Sequence, residues 1–374
     1  MCRMTSLEIP DSIRLAGNEK AAIEILSKIW GKRGTFTCTV GSTMTSAIPG
    51  ISDAGGTPEL TLLTGPADAE LITLGHTVCI DGVPVNPPEG IPTPGLLTIS
   101  ALKLSGLPHH IINAGCKVAP AIPCFDVGGH YGESIVTGHA VKDARKMFER
   151  GKVLGELLAK DQDYLIISES IAGGTTTALA TMMAIGTIRE NLVSSSSPRN
   201  PKELKTNTVL KALEVSGLEI GSCKDDPLKA VECVGDPMIA VNAGVVLGAS
   251  KHTPVILGGG TQMSAVIAVA AAIDPSVVRN IIHGTTRWLI NNPNSDIVRI
   301  DMNISPEIPL VYINMDYSKS PYKGLQAYEQ GFIKEGVGCG GSSIAAVISS
   351  AGRITCDDIL EEEHRIYREI LGIE

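Results

Sequence analysis

Apolar runs that end in a glycine-rich loop and lead straight into an apolar helix recur along this chain, and this order constrains its fold more than any other feature. Residues 164–167 lead through Ser-Glu-Ser-Ile-Ala-Gly-Gly-Thr-Thr-Thr into an Ala/Met-rich helix over 176–185. Residues 253–257 lead through Gly258, Gly259 and Gly260 into a buried helix over 262–272. Strand, loop and helix in repeated succession predict an α/β fold: a doubly wound, mostly parallel, Rossmann-like sheet whose ligands bind in the loops after the strands. The rest of the pattern fits that frame. An amphipathic helix over 18–30 stops at Gly31, and a β-rich strand over 35–40 empties into a long Gly/Ser/Thr/Pro loop, 41–61. From 67 to 160 strands and helices alternate, with a strand at 121–127 and a charged helix at 139–159. Further helices are expected at 237–249, 338–351 and 356–371, and a strand at 308–315. The stretch 192–206, LVSSSSPRNPKELKT, is the most polar and reads as a mobile surface loop.

Composition narrows the function classes. Hydrophobic residues are 43% and aromatic ones only 3%, so Ala, Val, Ile and Leu build the core, as buried parallel strands require. Mean hydropathy is +0.17, yet apolar stretches such as 265–273 fall short of the ~20 residues that span a bilayer. No membrane association is expected. The first ten residues, MCRMTSLEIP, do not form a leader, so the expected location is cytoplasmic. Nine cysteines show no CxxC pair, and the eight histidines have no metal-ligand spacing, so neither a disulfide framework nor a metal is assigned. No cofactor is expected. A net charge of −9 without a basic run argues against nucleic acid as a partner. An anionic small ligand would have to be held by local backbone donors.

Three loops offer such donors. In 168–177, Gly173 and Gly174 precede Thr175 and Thr176 at the start of a helix, where close backbone approach and the helix dipole favour a phosphate. A helix cap by either threonine is the plainer reading, and no lysine follows to make a Walker loop. In 334–341, Glu335 stands immediately before Gly336, Gly338 and Gly341. These glycines fit GxGxxG only formally, but they set a carboxylate where a ligand can come close. A solvated glutamate in a turn is the alternative. The third loop is 258–260, and Asp126 ends a fourth strand as either a ligand contact or a turn cap.

Together and in this order, these segments resemble the nicotinate-nucleotide–dimethylbenzimidazole phosphoribosyltransferase family. Its GEMGIGNTT loop is similar to SESIAGGTT (168–176), which keeps Glu169, Gly173, Thr175 and Thr176 and departs at Ser168, Ile171 and Gly174. Its GEGTGA segment is similar to KEGVGCG (334–340), which keeps Glu335, Gly336 and Gly338 and changes Lys334 and Val337. Residues 235–259 resemble GGxEIAAIAGAIL followed by PVLLDG, with Gly258 in place of the aspartate. CFDVGG resembles VVDVGV, and GISDAGGTPELT (50–61) resembles GVSAYPxEVT without the preceding DHG. The resemblance runs from about 35 to 350, and the departures point to an archaeal branch.

The resemblance implies transfer of ribose 5-phosphate from nicotinate mononucleotide to a benzimidazole-like base, in the synthesis of a cobamide's lower-ligand nucleotide. It implies Glu335 as general base with Glu169 as second carboxylate. Gly173, Gly174, Thr175, Thr176, Gly336 and Gly338 would hold the nucleotide, and Lys205, beside the polar loop, would reach its phosphate. Ser52 and Glu59 would line the pocket for the base. It also implies a homodimer and a large α/β domain, 35–350, with a small helical subdomain from the chain ends, 1–34 and 351–374. Two other readings remain: a non-catalytic nucleotide-binding or sensor protein, and a small-molecule kinase. The kinase is disfavoured because no lysine or metal-binding acidic pair accompanies the glycines.

Overall fold

Alternation decides which side of the sheet each strand residue serves. Leu165 and Ile167 pack into one apolar cluster while Ile166 between them packs into another, and Val255 and Leu257 divide from Ile256 in the same way. Strands buried on both faces form the centre of a parallel sheet covered by helices. A computed structural model describes residues 7–82, 85, 86 and 90–372; the first six residues, including Cys2, lie outside it.

The main sheet has eight strands: β1 Ile13–Gly17, β2 Thr35–Gly41, β3 His109–Gly115, β4 Phe125–Asp126, β5 Leu165–Ser170, β6 Val255–Gly258, β7 Ile281–Thr286 and β8 Pro309–Ile313. Their order is β1-β8-β7-β6-β5-β2-β3-β4. Only β1 runs antiparallel to its neighbour, with Leu15 opposite Val311. The chain steps from β2 to β3 and β4 on one side, then crosses to β5 on the other side of β2. The strand order therefore reverses between β2 and β5, and a crevice opens beyond their carboxyl ends.

One face is covered by α4 Ala144–Leu158, α5 Gly174–Ile185, α6 Lys202–Ser216, α7 Pro227–Val234, α8 Pro237–Ala249 and α9 Thr261–Ile273. The other carries α1 Glu19–Ile29, α2 Thr64–Leu74, α3 Gly95–Ser105, α11 Cys339–Ser349 and α12 Cys356–Leu371. Helix α10, Ile297–Ile304, buries Ile300 under the first face. From the chain ends, β1 joins the sheet edge, and α1 and α12 pack in the same cluster as α3 and α11. Among the described residues no helix is long and apolar enough to cross a membrane.

Several expected elements change. The strand at 121–127 shrinks to two exposed residues, because Pro120 and Pro123 cannot donate to a ladder. The expected mobile surface loop at 192–206 is instead two things. Residues 192–195 are buried, and from Lys202 the chain is helical, with Pro201 in the cap position. Strands β1, β3 and β7 were not singled out from the sequence.

Glycine decides how closely the layers approach. A side chain at Gly341 of α11 would put its Cβ 2.5 Å from Gly258 Cα, so α11 can lie directly on the end of β6. Helices α4 and α8 cross through Gly151, Gly155, Gly244 and Gly248. A Cβ at Gly244 would stand 2.1 Å from the Phe148 carbonyl oxygen.

Candidate active site

The end of β5 delivers the first carboxylate. Glu169, the fifth residue of β5, is 3% exposed. Its Oε2 accepts from Gln262 Nε2 at 2.7 Å and from the Ile171 N–H at 3.2 Å. Gln262, in the first turn of α9, reaches across because Gly174 is bare: a Cβ there would meet Gln262 Nε2 at 2.2 Å. Burial, then the charges of Asp236 and Glu335, pushes the Glu169 carboxyl up to about 8.

The second carboxylate comes from the turn before α11. Ile333, Lys334 and Val337 hold φ of 58°, 74° and 55°, the left-handed region where side chains are strained. Within that turn Glu335 Oε1 accepts from the N–H groups of Gly336 (3.2 Å) and Gly340 (3.1 Å) and from Cys339 Sγ (3.1 Å). Thr285 Oγ1, at the end of β7, donates to Oε2 at 3.3 Å. Gly260 lies alongside, where a Cβ would be in ordinary contact with Glu335 Cγ at 3.5 Å. Burial outweighs these donors and pushes the carboxyl up to about 7. A positioned carboxyl near neutrality suits proton transfer at physiological pH.

Both glutamates face one cleft of about 490 Å³, together with Ser52, Thr175, Ser194, Ser195 and Gly336. A larger hollow of about 730 Å³ lies between α2, α3 and α12, but none of the strand-end loops reaches it. The other expected site residues stand apart from the cleft surface. Gly173 lies against Ser46, Gly174 under Gln262, and Gly338 against Ser168. Thr176 is fully buried, its hydroxyl without a partner among the described residues. Glu59 is exposed, outside the cleft wall. Lys205 belongs to α6 and not to a loop. It is buried behind Thr175, to whose Oγ1 its Nζ donates at 2.8 Å, and it also donates to Ser194 O at 2.6 Å. Among the described residues no group of three or more His, Cys, Asp and Glu side chains is placed to hold a metal ion.

Four residues in or beside the cleft were missed by sequence reasoning. Asp68 of α2 faces the cleft and accepts from Ser170 Oγ (2.6 Å) and Thr93 Oγ1 (2.7 Å), while burial pushes it up to about 6. Two carboxylates, Asp68 and Glu70, inside a largely apolar helix were the available signal. Gln262 and Thr285 were hidden because their partners are remote in sequence. Lys334 stood in view as a departure from the family pattern and was given no role.

A family model described as phosphoribosyltransferase matches residues 131–288. A UPF0284 protein of Sulfolobus acidocaldarius is 42% identical over 337 residues, 90% of this chain and 95% of that protein. One of Methanosarcina mazei is 41% identical over 84% of this chain and 89% of its own length. The crystal structure of the nicotinate-nucleotide-dimethylbenzimidazole phosphoribosyltransferase from Thermus thermophilus superposes with a TM-score of 0.56 at 16% identity, covering 95% of this chain and 92% of that one. A structure of CobT from the same organism gives 0.56 at 15% identity, over 92% of each chain. The chain thus shares the fold of these enzymes, and it belongs to the UPF0284 family.

Proposed function

We propose that this protein transfers ribose 5-phosphate from nicotinate mononucleotide to a ring nitrogen of a benzimidazole-like base, with Glu335 as general base. The observation that carries this reading is the pair of carboxyls, the half-buried Glu335 and the buried Glu169, both raised toward neutrality and both facing the cleft at the reversal of strand order. Thr175 and Gly336 belong to the nucleotide side of that cleft, and Ser52 to the side that takes the base.

The chemistry asks for little else. The donor's glycosidic nitrogen is a pyridinium, so breaking its bond to C1′ returns an electron pair to a positive ring and releases nicotinate. The acceptor's nitrogen forms the new bond to C1′ while its ring N–H proton passes to Glu335. Glu169 orients the acceptor or takes that proton in its place. Alignment of the two substrates in one cleft supplies much of the remaining acceleration. In assembly the protein is proposed to be a homodimer; Val153 and Leu157, 66% and 54% exposed on the outer side of α4, offer apolar surface for it.

The test is product analysis. Incubation with nicotinate mononucleotide and a benzimidazole should release nicotinate and the base ribotide in equal amounts, read by mass spectrometry. Nucleotide binding without product from any benzimidazole, phenol or purine would move the sensor reading ahead. A requirement for magnesium and a nucleoside triphosphate would favour the kinase.

A further inference from the structure

Two lysines are buried at the edge of the cleft without a carboxylate to neutralise them. Lys334 is 1% exposed, and its Nζ donates to the carbonyls of Ser197 (3.3 Å) and Gly331. Lys205 is fully buried, and its Nζ donates to Thr175 Oγ1 and Ser194 O. Both amines thus spend their hydrogen bonds on uncharged oxygens, at the two ends of the segment 194–197. The Ile333 N–H donates to Ser196 O at 2.8 Å, which ties the turn that carries Lys334 to the same segment.

Burying one ammonium group is costly, and burying two near each other more so. Burial and the charge of Lys334 hold the Lys205 amine down to about 7, and burial holds Lys334 down to about 8; the exposed Asp53 offsets part of both. A dianion brought near both amines would offset that cost, because its charge favours the protonated form of each. The amines lie just behind the cleft wall, because Thr175, Ser194, Ser195 and Ser196 line the cleft and Thr175 Oγ1 and the Ser194 carbonyl both accept from Lys205. Lys334 also sits at φ 74°, where glycine would be unstrained, so the backbone holds a lysine at an energetic cost.

We infer that Lys334 is a second cation of the donor's phosphate subsite, opposite Lys205 across the 194–197 segment, and that it links phosphate binding to the placement of Glu335 one residue later. The inference rests on the proposed nucleotide donor. It makes the 5′-phosphate a requirement: a donor nucleotide is selected over its nucleoside because the phosphate answers two buried charges. The same contact steadies the strained 333–337 turn that aims Glu335 at the acceptor.

Calorimetry with nicotinate mononucleotide and with nicotinate riboside separates the possibilities. Lys334→Met should weaken the nucleotide ~10- to 100-fold, the worth of one hydrogen bond to a charged group, and leave the riboside within about twofold, a margin well under 1 kcal/mol. Lys334→Arg should keep most of the preference for the phosphate, and Lys334→Gln replaces the Met variant if that one does not fold. In turnover the Met variant should raise KM for the nucleotide and also lower kcat. Unchanged nucleotide affinity, or equal loss for nucleotide and riboside, would overturn the inference and leave Lys334 a structural residue. If the wild-type protein bound the nucleotide no better than the riboside, the donor itself would be wrong, and the inference would fall with it.

Discussion

In the proposed reaction Glu335 and Lys205 would set opposite limits on the rate. A general base works when deprotonated, so kcat/KM should rise with pH as Glu335 titrates near 7. Phosphate binding needs protonated amines, and Lys205 and Lys334, held near 7 and 8, lose their protons as pH climbs. The expected kcat/KM profile is a narrow bell between these values. The profile of kcat should keep the acid limb and lose the alkaline one, since bound phosphate holds the amines protonated. Rates across a pH series check this, and a kcat/KM that is flat below pH 7 would contradict it. At this scale Glu335 and Glu169 were legible in the sequence, because each stands beside a glycine loop that opens a helix. Asp68 and Lys334 were not. Their surroundings come from Thr93, Ser170 and Ser197, far along the chain.

Among the elements, α11 matters most, because its first turn supplies the Gly340 N–H to Glu335 and its Gly341 rests on β6. Gly341→Ala would drive a methyl group into the Gly258 backbone, and it should cost ~1–3 kcal/mol of stability, the usual penalty of overpacking. Urea denaturation reads this directly, and an unchanged midpoint would show that α11 can shift freely. The helices α5, α8 and α9 were legible because Gly173, Pro237 with Asp236, and Gly260 mark their starts. Strand β7 was overlooked although IIHGTT is rich in β-branched residues, since no glycine loop and long helix follow it. Helix α6 was overlooked because Ser and Pro dominate the residues before it.

For the molecule as a whole, the reversal of strand order between β2 and β5 puts the cleft where a doubly wound sheet binds ligands, and repeated strand–loop–helix units already implied that. The sequence could not show how buried carboxyls tune global stability. Glu363 of α12 is 1% exposed, accepts from Tyr317 Oη at 2.5 Å, and is pushed by burial up to about 8. Its unfolded value is ~4.3. The folded state therefore binds this proton more tightly, and the stabilisation is complete below about 4.3 and lost as pH rises through about 8. Glu169 contributes with the same sign. The melting temperature should fall from pH 6 to pH 9, and Glu363→Gln should flatten that fall. An equally steep fall in the variant would assign the pH dependence to other groups.

On the proposed reading, Glu335 accepts the acceptor's proton in a cleft that binds nicotinate mononucleotide. This is tested most directly by ribotide formation under saturating substrates in wild type, Glu335→Gln and Glu169→Gln, with nucleotide affinity and melting temperature measured on the same preparations. The amide of Glu335→Gln preserves shape and cannot take a proton. Turnover should drop ~10²- to 10⁴-fold, the usual worth of a positioned base, with affinity and fold retained. Turnover near wild type in Glu335→Gln, with activity abolished in Glu169→Gln, would contradict the claim and exchange the two roles.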